Sequence, residues 1–368
     1  MAMQGRPENE LLQKLERCPL FSSSFGTSLR QRINTPHWFE NRFIQAIIRD
    51  SGWIEKHESL LREADIEIVE NSDKIFSDLD GSDPDYDLKI FDVLAEVRLI
   101  RWARDNGYSS IKKLIPGTQP TPDFLMRKGG ILIVAEAKHF RERDFLPEFI
   151  EDRLKGLVLK TRYLNKFGIF VHTTNKYDQE RVNLLRTRRE SEHQYRDSIR
   201  EELTEKWLRM LVVSLTKQPK QEIEIVEGFF VVSRSEAPCS VGVGWGPPTR
   251  REELMLEKLG GNLMTALKQI KSFIDWNPYG EIPSRALVFL SGTSSWSMEW
   301  NDMWEALDKC RDSIIWEKVK EIHLRASELI KLPFELIVGK HREEVTGFVG
   351  QTPTKMILEY VSFHWTPD

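Results

Sequence analysis

Residues 121–138 read TPDFLMRKGGILIVAEAK, and this stretch decides the fold expected for the chain. FLM is short and apolar, as a strand would be, and RKGG carries Gly129 and Gly130, the residues a tight turn needs. ILIVAEAK has the length and apolar content of a buried strand. The three pieces together predict a β-hairpin. Side chains alternate along a strand, so Glu136 and Lys138 share one face while Ala137 takes the other. The hairpin then returns Asp123, which follows Pro122, to the neighbourhood of Glu136 with the Lys138 ammonium alongside. Two carboxylates and a lysine at one strand end suggest a metal site.

Working outward, 368 residues suffice for at least one sizeable core, with two or three subdomains expected. With 40% hydrophobic and 30% charged residues, the composition is that of an ordinary soluble globular protein. The net charge of -4 means that any contact with nucleic acid must come from a local basic face. Cys18, Cys239 and Cys310 are scattered without CxxC spacing, which points to a reducing compartment and away from a zinc ribbon or disulfide scaffold. None of the eight histidines forms an HxH or HExxH pair, which argues against a zinc hydrolase. The opening MAMQGRPENE has no apolar signal region and no later run approaches a membrane span, so a cytoplasmic protein without membrane contact is expected.

Before the hairpin, residues 1–84 read as a helical region, with apolar residues spaced three and four apart. Its acidic loop, SDKIFSDLDGSDPDYD, sets Asp78, Asp80 and Asp83 ahead of a helix. The calcium-loop glycine and bidentate glutamate are not at their required positions, so a solvated, helix-capping loop is the better reading. A helix is predicted from about Asp85 to Asn106, stopped by Gly107, with Ile90, Val93, Leu94, Val97 and Ile100 as its apolar stripe. Glu96 borders that stripe. On the helix alone it reads as a surface glutamate paired with Arg98 or Arg101. Ahead of the Asp123 hairpin it is also placed to lean over the sheet as a third carboxylate.

A glutamate on a helix, then Pro-Asp, then Glu-x-Lys on a buried strand is similar to the signature of the PD-(D/E)xK nuclease superfamily. Glu96 matches the helix acid, Pro122 and Asp123 the PD, and Glu136, Ala137 and Lys138 the ExK, over roughly residues 85–174. The resemblance implies an α/β fold with a restriction-endonuclease-like core, a mixed sheet flanked by helices in the order α-β-β-β-α-β. SIKKLIP, DFLM and ILIVAEAK supply the first three strands. Residues 147–164 supply the second helix and KFGIFVHTT the parallel fourth strand. The expected domains are a helical N-terminal region (1–84), the nuclease-like core (85–235) and an α/β C-terminal region (236–368), which extends the sheet or recognises a substrate or partner.

The chemistry implied is metal-dependent phosphodiester hydrolysis. Hard oxygen ligands from Asp123 and Glu136 suit Mg²⁺, with Mn²⁺ able to substitute. The resemblance adds the Ala137 backbone carbonyl and assigns Glu96 to a metal or its outer-shell water. Lys138 would orient the attacking water and offset developing charge. The expected function is a DNA endonuclease in prokaryotic restriction, defence or repair, as a possible homodimer or with a protein partner at the C-terminal region. The alternatives are a catalytically silent nucleic-acid-binding or scaffold protein and an effector nuclease activated through that region. A partly buried Glu136–Lys138 pair that merely holds a strand end is the bland reading of the motif. His139 is expected to face away from Lys138.

Beyond the third strand, basic residues outnumber acids from Arg153 to Arg200, and Arg186, Arg188 and Arg189 are the candidates for phosphate contact. One helix is expected from Gln179 to beyond Leu211. Farther on, EIEIV, GFFVVSRS, RALVFLSG, KEIHLRAS and FELIVGK read as strands. VGVGWGPP reads as a loop without a nucleotide-binding fingerprint, and a helix broken at Gly260 and Gly261 is expected between residues 252 and 274. Trp296, Trp300 and Trp304 stand four apart, a spacing better suited to core packing than to base stacking.

Overall fold

The computed structural model describes residues 7–35, 38, 44, 52–83, 86–140, 145–161, 167–177, 179–180, 188–236, 241–244, 251–276, 280, 282–293, 329–330, 332–344 and 355–365. The chain divides into two compact units. One comprises Met1–Arg32, Ile47–Glu142 and Arg251–Asp368; the other comprises Ile33–Ala46 and Arg143–Arg250. Cys239, Cys310, Arg186, the tryptophans 296, 300, 304 and 316, and the expected strand KEIHLRAS lie outside the described residues.

The first unit opens with α1 (Pro7–Arg17), α2 (Pro19–Ile33) and α3 (Trp53–Ala64). Buried Glu58 of α3 accepts from the Phe21 amide at 2.7 Å, satisfying a donor that the first turn of α2 leaves unpaired. The acidic loop is docked on α2. The Gly81 amide donates to Gln31 Oε1 at 3.2 Å, Arg32 donates to the Asp83 carbonyl at 3.3 Å, and Lys89 pairs with Asp83 at 2.6 Å. Asp83 is thus paired with a lysine of the following helix, and Asp80 accepts from the Ser82 amide and hydroxyl at 2.8 and 2.7 Å.

Next comes α4 (Tyr86–Asp105), whose expected stripe is buried at Ile90, Val93, Leu94, Val97 and Ile100. The helix stops where Gly107 takes φ 79°, with Gly107 N–H donating to the Arg104 carbonyl and Tyr108 N–H to the Ala103 carbonyl, both at 2.9 Å. This paired closure is the left-handed glycine stop predicted from the sequence. Strands β1 (Ser110–Lys113), β2 (Phe124–Lys128) and β3 (Ile131–Phe140) follow as an antiparallel meander. Gly129 and Gly130, both at positive φ, close the two-residue hairpin between Lys128 and Ile131.

At β3 the structure departs from the expected order. KFGIFVHTT does form a strand, β4 (Gly168–Thr173), but it belongs to a different sheet. The parallel neighbour of β3 is β8 (Arg285–Thr293), reached through the helix Arg251–Trp276. The six-stranded sheet runs β1-β2-β3-β8-β9-β10, where β9 (Phe334–Glu344) is parallel to β8 and β10 (Lys355–Trp365) antiparallel to β9. The expected core helix within 147–164 and the fourth strand thus belong to the second unit, and the C-terminal region extends the first unit's sheet. Of the 85–235 block, residues up to Glu142 fall in the first unit and those from Arg143 in the second. A parallel pair needs a long crossover, and here it includes residues Arg143–Arg250 of the second unit.

That unit contains α5 (Phe145–Thr161), β4, α6 (Arg188–Glu202), α7 (Glu205–Lys217), β5 (Ile223–Ile225), β6 (Phe230–Ser235) and β7 (Val241–Gly244). Its sheet is ordered β5-β6-β4-β7, around a core that includes Ile150, Leu154, Ile169, Val171, Leu208, Leu211 and Phe230. VGVG is therefore a strand parallel to β4 rather than a loop. The long helix expected from Gln179 to beyond Leu211 is interrupted after Glu202, because Thr204 takes an extended conformation and accepts from the Trp207 amide, capping α7.

The helix Arg251–Trp276, α8, is continuous through Gly260 and Gly261. Two glycines cost about 1 kcal/mol each against alanine. Burial of Leu263, Ala266, Leu267, Ile270 and Phe273 against Leu132, Val134, Val288, Leu290 and Leu336 outweighs that. The opposite face of β3 and β8 meets α4, where Trp102 packs 6.2 Å from Phe289. Both faces are covered, which explains why ILIVA and ALVFL read as unbroken apolar runs.

A Cβ on Gly81 would stand 2.0 Å from the Ser28 carbonyl oxygen and 2.7 Å from the Arg32 nitrogen, both fixed backbone atoms. Gly81→Ala is expected to cost about 1–3 kcal/mol, the usual range for overpacking, read as a lowered midpoint in urea unfolding.

Candidate functional site

The hairpin sets the geometry of the acidic cluster. The β1–β2 ladder continues one step beyond Lys113↔Phe124, where the Leu114 amide donates to the Asp123 carbonyl at 2.8 Å. One step beyond Phe124↔Ala135, the β2–β3 register sets Asp123 opposite Glu136. The Asp123 amide donates to Glu136 Oε2 at 3.0 Å, and the Ala137 amide donates to Asp123 Oδ2 at 2.8 Å. Lys138 forms an ion pair with Glu136 Oε1. Asp123, Glu136 and Lys138 therefore converge as their spacing implied.

Glu96 joins them through Lys113, which the sequence reading did not single out. The Lys113 ammonium lies 2.6 Å from Glu96 Oε2 and 3.0 Å from Asp123 Oδ1. Glu96 is thus neither turned to solvent nor paired with its helix neighbours. Arg101 pairs with Glu63 and Asp105, and buried Arg98 reaches Ser291 Oγ at 3.4 Å. A signal for Lys113 did exist in the sequence. In SIKK, alternation puts it on the buried side with Ile111, an inward position where a lysine needs an anionic partner.

Three carboxylates thus meet two ammonium groups at the end of the hairpin. Burial, reinforced by Asp123, pushes the Glu96 carboxyl up to about 8. Burial and then Asp123 likewise hold Glu136 well above the usual carboxylate range, against the pull of Lys138. The lysines are raised because the attraction of nearby carboxylates outweighs burial, from Asp123 and Glu96 for Lys113 and from Glu136 and Asp123 for Lys138. Three carboxyl groups thus crowd two ammonium groups in a medium that solvates charge poorly, which favours the protonated acids.

A hard divalent cation suits this donor set, because carboxylate and carbonyl oxygens are its preferred ligands. As the side chains stand, no group of three or more His, Cys, Asp or Glu among the described residues is arranged to hold a metal ion. The Lys113 ammonium already lies between Glu96 and Asp123. Elsewhere, His139 stacks on Phe91 of α4 at 5.0 Å, on the side of β3 away from Lys138. Arg188 and Arg189 open α6 in the second unit, and their side chains lie outside the description.

Fold and site together define an α/β protein with a buried acid–lysine cluster at a hairpin end. Comparison with protein families, with characterised proteins and with solved structures finds no match for this chain. No helix among the described residues is long and apolar enough to cross a membrane.

The raised Glu96 carboxyl has a pH consequence with a definite sign. A carboxyl whose folded value lies above its unfolded one binds more protons when folded, so its stabilisation is complete at low pH and lost as pH rises. In chelator, thermal stability is expected to fall as pH rises from about 4.5 to about 8, and Glu96→Gln should flatten that decline. Melting temperatures of both proteins across this range check it.

Proposed function

We propose that this chain is a divalent-metal-dependent nuclease acting on DNA, built on a restriction-endonuclease-like core. The observation that carries the reading is the hairpin pair Asp123–Glu136, joined by Lys138 on the same strand face and by Glu96 from α4 through Lys113. Chain order supports it as well. Within the first unit, α4, β1, β2, β3, α8 and β8 follow one another as helix, three antiparallel strands, helix and parallel strand.

Asp123, Glu136 and the Ala137 carbonyl would hold Mg²⁺, or Mn²⁺ in its place, with Glu96 serving the metal or its outer-shell water. The bound ion would supply a more acidic water and neutralise phosphate charge. Lys138, 25% exposed at its side chain while Glu136 beside it is buried, is the cationic group best placed to meet an incoming phosphate and orient the attacking water. The β-strand fixes its register against Glu136, so its contribution is positioning as much as charge.

One observation favours a second reading, a nucleic-acid-binding or scaffold protein without catalysis. Each carboxylate of the cluster already has a partner within the protein, as a purely structural ion network would.

Purified protein incubated with plasmid, linear duplex, single-stranded DNA and RNA distinguishes the two. Metal-dependent cleavage of DNA is expected. Asp123→Ala, Glu136→Ala and Lys138→Ala should each lower it by at least about 10²-fold, the scale of losing one transition-state contact. Cleavage that persists in EDTA, or at wild-type rate in all three variants, would refute the nuclease reading. Salt-sensitive DNA binding without cleavage or site-dependent metal heat would favour the second.

A further inference from the structure

We propose that Lys113 is a resident counter-ion of the acidic cluster, which a divalent cation must displace in order to bind; this inference rests on the nuclease reading above. Its ammonium stands 2.6 Å from Glu96 and 3.0 Å from Asp123, between two of the carboxylates assigned to the metal. A cation coordinated by Asp123 and served by Glu96 would share those oxygens with the ammonium. Two positive charges at that separation repel strongly, so the ammonium withdraws when the metal enters.

The backbone under Lys113 is built to hold it in place. Its amide donates to the Glu70 carbonyl at 2.9 Å, its carbonyl accepts from Asn71 Nδ2 at 3.1 Å, and its cross-strand partner is Phe124, the residue after Asp123. The ammonium lies 5.0 Å from the centre of the Phe124 ring, a cation–π contact in an almost fully buried position. Lys138 has a different partner, Glu136, and more exposure. The two lysines therefore divide the work. Lys113 is a positioning residue that holds Glu96 and Asp123 hydrogen-bonded and close together before metal arrives, and Lys138 remains with Glu136 on the substrate side. Such a counter-ion lets three acids be buried together during folding, at the cost of weaker metal binding.

The test reads metal binding and not cleavage. Mg²⁺ is titrated calorimetrically into wild type, Lys113→Met and Glu136→Ala, the last defining the heat that belongs to the site. Lys113→Met keeps the length of the side chain and removes its charge; it is expected to bind Mg²⁺ at least about tenfold more tightly than wild type. On wild-type protein, acylation of the Lys113 amine followed by mass spectrometry should be several-fold faster with Mg²⁺ than in chelator. This second measurement decides the matter if Lys113→Met does not fold. Wild type that binds Mg²⁺ while Lys113→Met binds it equally or more weakly, or Lys113 labelling that Mg²⁺ leaves unchanged or slows, overturns this inference and leaves the nuclease reading standing. No Glu136-dependent heat in wild type or Lys113→Met overturns both.

Discussion

The constraint on which the site depends is the crowding of three largely enclosed carboxyl groups with only two ammonium groups to face them. Water is a far better solvent for such charges than a protein interior, so the cluster persists only because each carboxylate is given a partner. Backbone amides of Asp123 and Ala137 take one oxygen each from Glu136 and Asp123, and Lys113 and Lys138 take others. The mutual repulsion of the three acids is what a proton or a divalent cation would relieve.

The sheet around the cluster explains why the acids can be held there. β3 is buried on both faces, between α8 on one side and α4 on the other, and Glu136 lies near the end of that strand. The apolar surroundings raise the Glu96 and Glu136 carboxyls, and the same strand pairing holds Asp123 against them.

Much of this was legible in the local sequence. The stripe of α4 and its glycine stop, the hairpin, and the apolar runs of β3 and β8 all formed where periodicity and turn chemistry put them. So did the proximity of Asp123, Glu136 and Lys138, because strand alternation and a short turn leave few other arrangements. Misreadings arose where packing overrides local preference. Gly260 and Gly261 do not break α8 because its apolar face is buried, and VGVG is a strand because β4 pairs with it.

By itself the sequence determined which segments are helices and strands around the hairpin, and which carboxylates and lysine meet within it. These depend on interactions among residues a few positions apart. Tertiary structure alone decided which strand lies beside β3, since GIFVHT and RALVFL carry the same apolar signal and differ only in the sheet that receives them. It also decided that Lys113 would bridge Glu96 and Asp123. That contact joins α4, β1 and the start of β2, and no local pattern encodes the distance between a helix and a strand that pack together only after the chain has folded.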